Sequence, residues 1–211
     1  VMSMVDTIKG DFAAARNHIG EAIALYKTIG AHNIVAMSFA TDLPEIEFYA
    51  GNAELAVRQA LDAIPIVRTF SEINSVVDAL NNTSAYLIFL SRFEEAEACA
   101  RESLTVSSEV HFPTRVARAI EKLAVLAAVH RGNAFEPRPQ SYVRAARLFG
   151  FADARLDDLG SRGDLIDQQQ YEQALAILRG AMGSDQLASC MNAGAAMSEE
   201  QAIDEALAGD R

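Results

Sequence analysis

Three stretches of this chain repeat one pattern of small residues. "GDFAAARNHIGEAIALY" (10–26), "GNAELAVRQALDAIPIV" (51–67) and "SRFEEAEACARESLTVS" (91–107) each open on a turn-prone pair and continue as an amphipathic helix. A small residue follows each opening at the same distance: Ala15, Ala56 and Ala96. Four further on come Ile19, Ala60 and Ala100, and three beyond those Ala22, Ala63 and Ser103. The i, i+4, i+7 spacing is one stripe of an α-helix. Antiparallel helices approach closely only where side chains are short, so each alanine predicts a buried crossing point.

A second helical pattern precedes each of the last two: "NIVAMSFATDLPEIEFYA" (33–50) and "INSVVDALNNTSAYLIFL" (73–90). Another, "TRVARAIEKLAVLAAVHR" (114–131), follows further on. The unit is therefore helix, short turn, helix. After "GNAFEPRPQ", the segment 141–160 supplies a fourth second helix, with Ala145, Phe149 and Ala152 in the key positions. Equivalent alanines lie 41, 40 and 49 residues apart. The last step is lengthened by the loop around Pro137 and Pro139, which cannot continue a helix. Ala, Leu, Glu and Arg, all good helix formers, dominate the composition. The expected class is all-α.

Gly10-Asp11-Phe12-Ala13-Ala14-Ala15 and Arg92-Phe93-Glu94-Glu95-Ala96 resemble the opening of the second helix of the tetratricopeptide repeat. Gly51-Asn52-Ala53 resembles it loosely, and the period here exceeds the roughly 34 residues of the standard repeat. The resemblance implies a right-handed α–α superhelix of helical hairpins over residues 1–160, with capping helices of the same solenoid over 161–211. By that register Gly10 occupies the turn between helices. Val1 to Lys9 then reads as the second half of a first helix, and the chain as an excised C-terminal portion of a longer protein. An apolar patch of Met2, Val5 and Ile8 is expected there, with a homodimer through that end.

Beyond residue 164 three shorter helices are expected, in 171–183, 184–197 and 198–209. The last opens on a capping box, Ser198 with Gln201 three later. The runs Arg144 to Gly150, Tyr171 to Gly183, Asn192 to Ser198 and Glu200 to Ala202 are similar to the C-terminus of large bacterial regulators. In these MalT-like proteins a LuxR-type or winged-helix DNA-binding domain and a signal-transduction ATPase precede a tetratricopeptide-like region. The resemblance implies a non-catalytic, cytoplasmic interaction or sensing region whose partner is a protein, a peptide or a small-molecule inducer. No G-x-x-x-x-G-K-[ST] phosphate loop is present in this sequence, so no ATPase activity is carried over to it.

The net charge of −11 repels phosphate backbones, so nucleic acid is not an expected ligand of this segment. No apolar run approaches the roughly 20 residues that span a bilayer, so no membrane partner is expected either. The two cysteines, Cys99 and Cys190, each inside a helical pattern, read as buried free thiols. His18, His32, His111 and His130 are scattered without i+4 partners, and no metal or cofactor is expected. Asp153, Asp157 and Asp158 place two carboxylates at i and i+4, which reads as a solvated face near a helix end. "GSRGD" (160–164) reads as a joint between the repeats and the tail.

In solenoids of this kind the first helix of each pair lines the concave surface. Register places Ser38, Thr41, Glu45, Phe48 and Tyr49 there, then Asp78, Asn81, Ala85, Ile88 and Phe89, with Lys122, Leu126 and His130 continuing. Asn is a poor residue in mid-helix, so Asn81 suggests an amide held for a peptide backbone, while Asn82 suits a bond between helices. Three functions compete: the regulator region, a stand-alone tetratricopeptide adaptor binding a protein or peptide, and an all-α enzyme. No clustered titratable groups favour the last.

Overall fold

The computed structural model describes residues 2–70, 73–129, 139–160 and 163–208, and every regular element among them is an α-helix. The chain divides into two compact units, Val1–Arg92 and Phe93–Arg211. The first holds α1 (Met2–Lys9), α2 (Phe12–Thr28), α3 (His32–Ala40), α4 (Asp42–Tyr49), α5 (Ala53–Phe70) and α6 (Ile73–Phe89). The second holds α7 (Phe93–Glu109), α8 (Pro113–Val129), α9 (Pro139–Asp158), α10 (Leu165–Met182), α11 (Ser184–Ala195) and α12 (Glu199–Leu207). His130 and the Pro137 loop, like Arg162, lie outside the described residues.

Five of the turns between the described helices share one backbone solution. Gly10, Gly30, Gly51, Ser91 and His111, one or two residues past a helix end, adopt a left-handed φ between 55° and 88°. The next amide then reaches back five residues: Asp11 to Asp6 (2.9 Å), Ala31 to Tyr26 (2.9 Å), Asn52 to Glu47 (2.8 Å), Arg92 to Leu87 (2.9 Å) and Phe112 to Ser107 (3.1 Å). This is the Schellman closure, which satisfies carbonyls that the helix end would otherwise leave open. Asp11 also caps α2, its carboxylate accepting from the Ala14 amide at 3.0 Å. The turn-prone pairs that open the repeats are therefore C-terminal locks on the preceding helix.

Ala15, Ala56, Ala96 and Ala145 are all fully buried, as their spacing predicts. In the first unit Ala15, Ile19, Ile23 and Ile46 form a core cluster, with Phe12, Val35 and Leu43 packed against it. The expected single helix over 33–50 is instead α3 and α4, broken at Thr41. Pro44 is the reason. Its missing N–H and its ring cannot follow Ala40 in a continuous helix, whereas the first turn of a new helix tolerates both. Asp42 and Glu45 at that new N-terminus favour the restart through the helix dipole. A two-pronged ion pair ties α2 to α4: Arg16 donates Nε to Glu47 Oε1 (2.6 Å) and a terminal nitrogen to Oε2 (2.9 Å). Asn52 donates to the same Oε2 at 2.8 Å.

In the second unit α8 packs on α7, α9, α10 and α12, and α11 lies on α9. Two glycines set that last contact. A Cβ added at Gly150 would overlap the Met191 carbonyl, and one at Gly194 would overlap the Arg147 carbonyl. Backbone touches backbone, reciprocally, three residues apart on each helix. Arg147 also donates Nε to both oxygens of Glu205 in α12 (2.8 and 3.1 Å). The capping box of α12 is present, Ser198 accepting from the Gln201 amide and its own amide donating to Gln201 Oε1. α10 begins at Leu165, six residues before its expected start, with Asp164 as N-cap.

Candidate functional site

Of the residues expected on a binding face, three come together in the first unit. α4 carries Glu45, Phe48 and Tyr49 within little more than a turn, and α6 carries Asp78, Asn81, Ala85 and Phe89 along one stripe. The Phe48 ring stacks on buried Tyr86, centroids 4.7 Å apart and planes at 19°. It meets Phe89 edge-on at 5.1 Å and Tyr49 edge-on at 5.5 Å. Each geometry suits the aromatic quadrupole and adds about 0.5–1.5 kcal/mol beyond burial. Phe48 and Tyr49 are half-buried, while Phe89 remains 61% exposed at the end of α6. The result is an aromatic shelf backed by the buried Tyr86 ring. Such a surface accepts an apolar side chain or a cation over its rings.

The other expected positions take different roles. Thr41 sits at the α3–α4 break and donates its hydroxyl to the Met37 carbonyl at 2.9 Å. Glu45 and Asp78 are half-buried. Ser38, Asn81, Ala85 and Ile88 are buried in the first unit, as Leu126 is in the second, so none of them lines an open surface. Lys122, in the second unit, is buried too, with its ammonium on the Asp167 carboxylate. The physical reason is local: α8 is buried continuously from Ala119 to Ala128, so a charge there must find a partner inside.

That requirement builds a polar network among α8, α9 and α10. Arg118 donates to Glu121 at 3.0 Å. Tyr171 donates its hydroxyl to Asp153 Oδ2 at 2.6 Å. Burial pushes the Asp153 carboxyl up to about 6, against the lowering effect of the Tyr171 bond, with Glu121 and Asp157 adding like-charge repulsion. Burial also raises Glu121, opposed by Lys122 and Arg118, and raises Asp164, where Asp167 adds to it. Tyr171 is raised by burial and then by its bond to Asp153. The reading of Asp153 as part of a solvated face is therefore corrected: Asp157 and Asp158 are exposed, but Asp153 is turned towards α10 and α8. The signal in the sequence was Arg118, Glu121 and Lys122 standing inside an otherwise apolar run. Among the described residues no group of three or more His, Cys, Asp or Glu is placed to hold a metal ion, and no helix is long and apolar enough to cross a membrane. Cys99 and Cys190 are free thiols; Cys99 is buried as expected, whereas Cys190 is only half-buried.

No family model matches this chain, and neither a curated protein nor a solved structure does.

Proposed function

We propose that this chain is a non-catalytic interaction region built from tetratricopeptide-like hairpins in a right-handed α–α superhelix. Its place is the C-terminal part of a cytoplasmic bacterial transcriptional regulator, where it receives a protein, a peptide or a small-molecule inducer. The hairpin reading is supported by the same left-handed turn at Gly10, Gly51 and Ser91, each followed at one distance by a fully buried alanine. The regulator reading rests on the resemblance of the tail, a warrant from likeness rather than from chemistry. The observation that carries the binding function is the aromatic shelf of Phe48, Tyr49 and Phe89. A ring as exposed as Phe89, set edge-on against a Phe48 ring that stacks on buried Tyr86, is an anchor point for a partner's side chain.

Selection of a displayed random-peptide library on the purified chain tests this. Enriched peptides should carry an aromatic or aliphatic anchor and bind at least tenfold more weakly to Phe89→Ala and Tyr49→Ala than to Phe39→Ala. Failure to enrich any peptide, or peptides indifferent to both shelf variants, would overturn the assignment.

A further inference from the structure

α10 is held to its neighbours by little apolar surface. Between Leu165 and Met182 it buries Ile166, Gln170, Ala174 and Leu178, about one residue per turn, and only the first and last of these are large and apolar. Beside that stripe runs a polar one, Asp164, Asp167 and Tyr171, and the helices it faces answer with charge. Asp167 takes the Lys122 ammonium of α8. Tyr171 donates to Asp153 of α9 and sets its ring edge-on against buried Phe149, centroids 5.1 Å apart. Glu121 of α8, itself buried, takes Arg118 at 3.0 Å. Among the described residues the cations of this seat, Arg118 and Lys122, are thus engaged by Glu121 and Asp167, while Asp153 meets a neutral hydroxyl. A carboxylate in such a place gains either a proton or water. A proton leaves the helices as they are. Water requires α10 to move, since Tyr171 stands over the carboxyl.

We propose that α10 is a pH-operated arm, lying on α8 and α9 while the Asp153 carboxyl is protonated and lifting from them when it ionises. The charges acting on Asp153 favour this. Glu121 from α8 and Asp157, one turn on in α9, both repel the ionised form. On the other helices packed against α9, Asp185 of α11 is exposed and Glu205 of α12 is held by Arg147, and neither is among those charges. Burial leaves Asp153 raised to about 6 from the ordinary 3.8, and it raises Glu121 and Asp164 as well. With α10 lifted, water returns these groups towards their ordinary values. The seated form therefore holds the proton more tightly and is favoured below about 6, and the lifted form gains as pH rises through that value. Tyr171 keeps its proton throughout, raised by burial and then by the Asp153 bond. The Lys122–Asp167 pair does not titrate in this range, so the switch belongs to Asp153 and its carboxyl neighbours. Lifting also bares the Phe149 ring that Tyr171 covers.

Amide hydrogen exchange on the whole chain, at about pH 5, 6.5 and 8 and expressed as protection factors, reads the movement. Protection in α10 should fall at least tenfold from the lowest to the highest pH, while that of α9 and α11 stays level. Asp153→Asn should abolish most of the fall. Glu121→Gln, which removes a repelling charge, should move its midpoint to lower pH. Leu178→Ala should lower α10 protection at every pH and leave the pH dependence in place, which separates the switch from simple weakening of the contact. Circular dichroism checks that each variant folds. Protection of α10 that ignores pH, a fall shared equally by α9 and α11, or a fall unchanged in both carboxyl variants overturns the proposal.

Discussion

The hydroxyl of Tyr171 donates to Asp153 across the α9–α10 contact at 2.6 Å, and this bond partly offsets the burial that leaves the carboxyl raised to about 6. Removing the donor leaves the burial without its counterweight. In Tyr171→Phe the Asp153 titration should move above that of the wild type, as followed by carboxyl carbon NMR between pH 4 and 9. No upward movement would mean that the hydroxyl does not bear on the carboxylate.

The same carboxyl gives the second unit an inverted pH response. Its folded-state value, about 6, lies above the ordinary 3.8, so the folded chain holds the proton more tightly than the unfolded one. The contribution is fully present below 3.8 and is lost as pH rises through about 6. Solvent reaching the carboxylate limits it to about 1–2 kcal/mol. Asp153→Asn, which keeps an oxygen for Tyr171, should thus be more stable than wild type at pH 8 by about that amount. The advantage should shrink towards pH 4, as denaturant unfolding at the two pH values would reveal.

The Arg16–Glu47 pair behaves in the opposite way. The bond from Arg16 holds the Glu47 carboxyl below its ordinary 4.5, despite burial and with help from Asn52. Its stabilisation is therefore present above 4.5 and fades as pH falls below it. Glu47→Gln should cost about 1–3 kcal/mol at pH 7, since a half-exposed guanidinium tolerates the loss better than a fully buried one. The penalty should narrow at pH 3 to 4 in the same unfolding assay.

Ser91 and His111 occupy left-handed positions that Gly10, Gly30 and Gly51 fill without steric cost. Both side chains are exposed, so little is lost with them. Ser91→Gly and His111→Gly should each raise stability by about 0.5–1 kcal/mol, and Gly51→Ala should lower it by about 1 kcal/mol or more. Thermal unfolding of the three variants separates the signs.

Glycine at the α9–α11 crossing has a different duty. Gly150→Ala should cost about 2–3 kcal/mol or more, because the new methyl meets backbone that cannot swing aside. Gly180→Ala, in an exposed stretch of α10 with open space around it, should instead stabilise by about 0.5–1 kcal/mol. Equal effects at the two sites would refute the close contact.

Local rules made much of this fold legible. The alanine spacing located the buried stripes, and the Ser198–Gln201 pair located the start of α12, because both depend on residues a few positions apart. Phe48, Tyr49 and Phe89 were placed on one face by helical periodicity, and the rings do touch. What escaped were long-range pairings. Nothing near Asp153 in sequence announces Tyr171, and nothing near Arg16 announces Glu47. Lys122 looked like a surface lysine because its partner, Asp167, stands on another helix. The break at Thr41 was legible through Pro44 but was masked by the apolar periodicity running on both sides of it.

The glycine contact between α9 and α11 also has a dynamic consequence. Sliding either helix by one residue would bring the side chain of a neighbour of Gly150 or Gly194 into a gap that admits no methyl group. Rotation about either axis meets the same obstacle. α9 and α11 therefore pack as one body in a single register. The Asp153–Tyr171 bond joins that body to α10, and the Arg147–Glu205 pair joins it to α12. Polar links, sensitive to pH and salt, thus supplement the apolar packing of α10 and α12 around a crossing whose register the glycines fix.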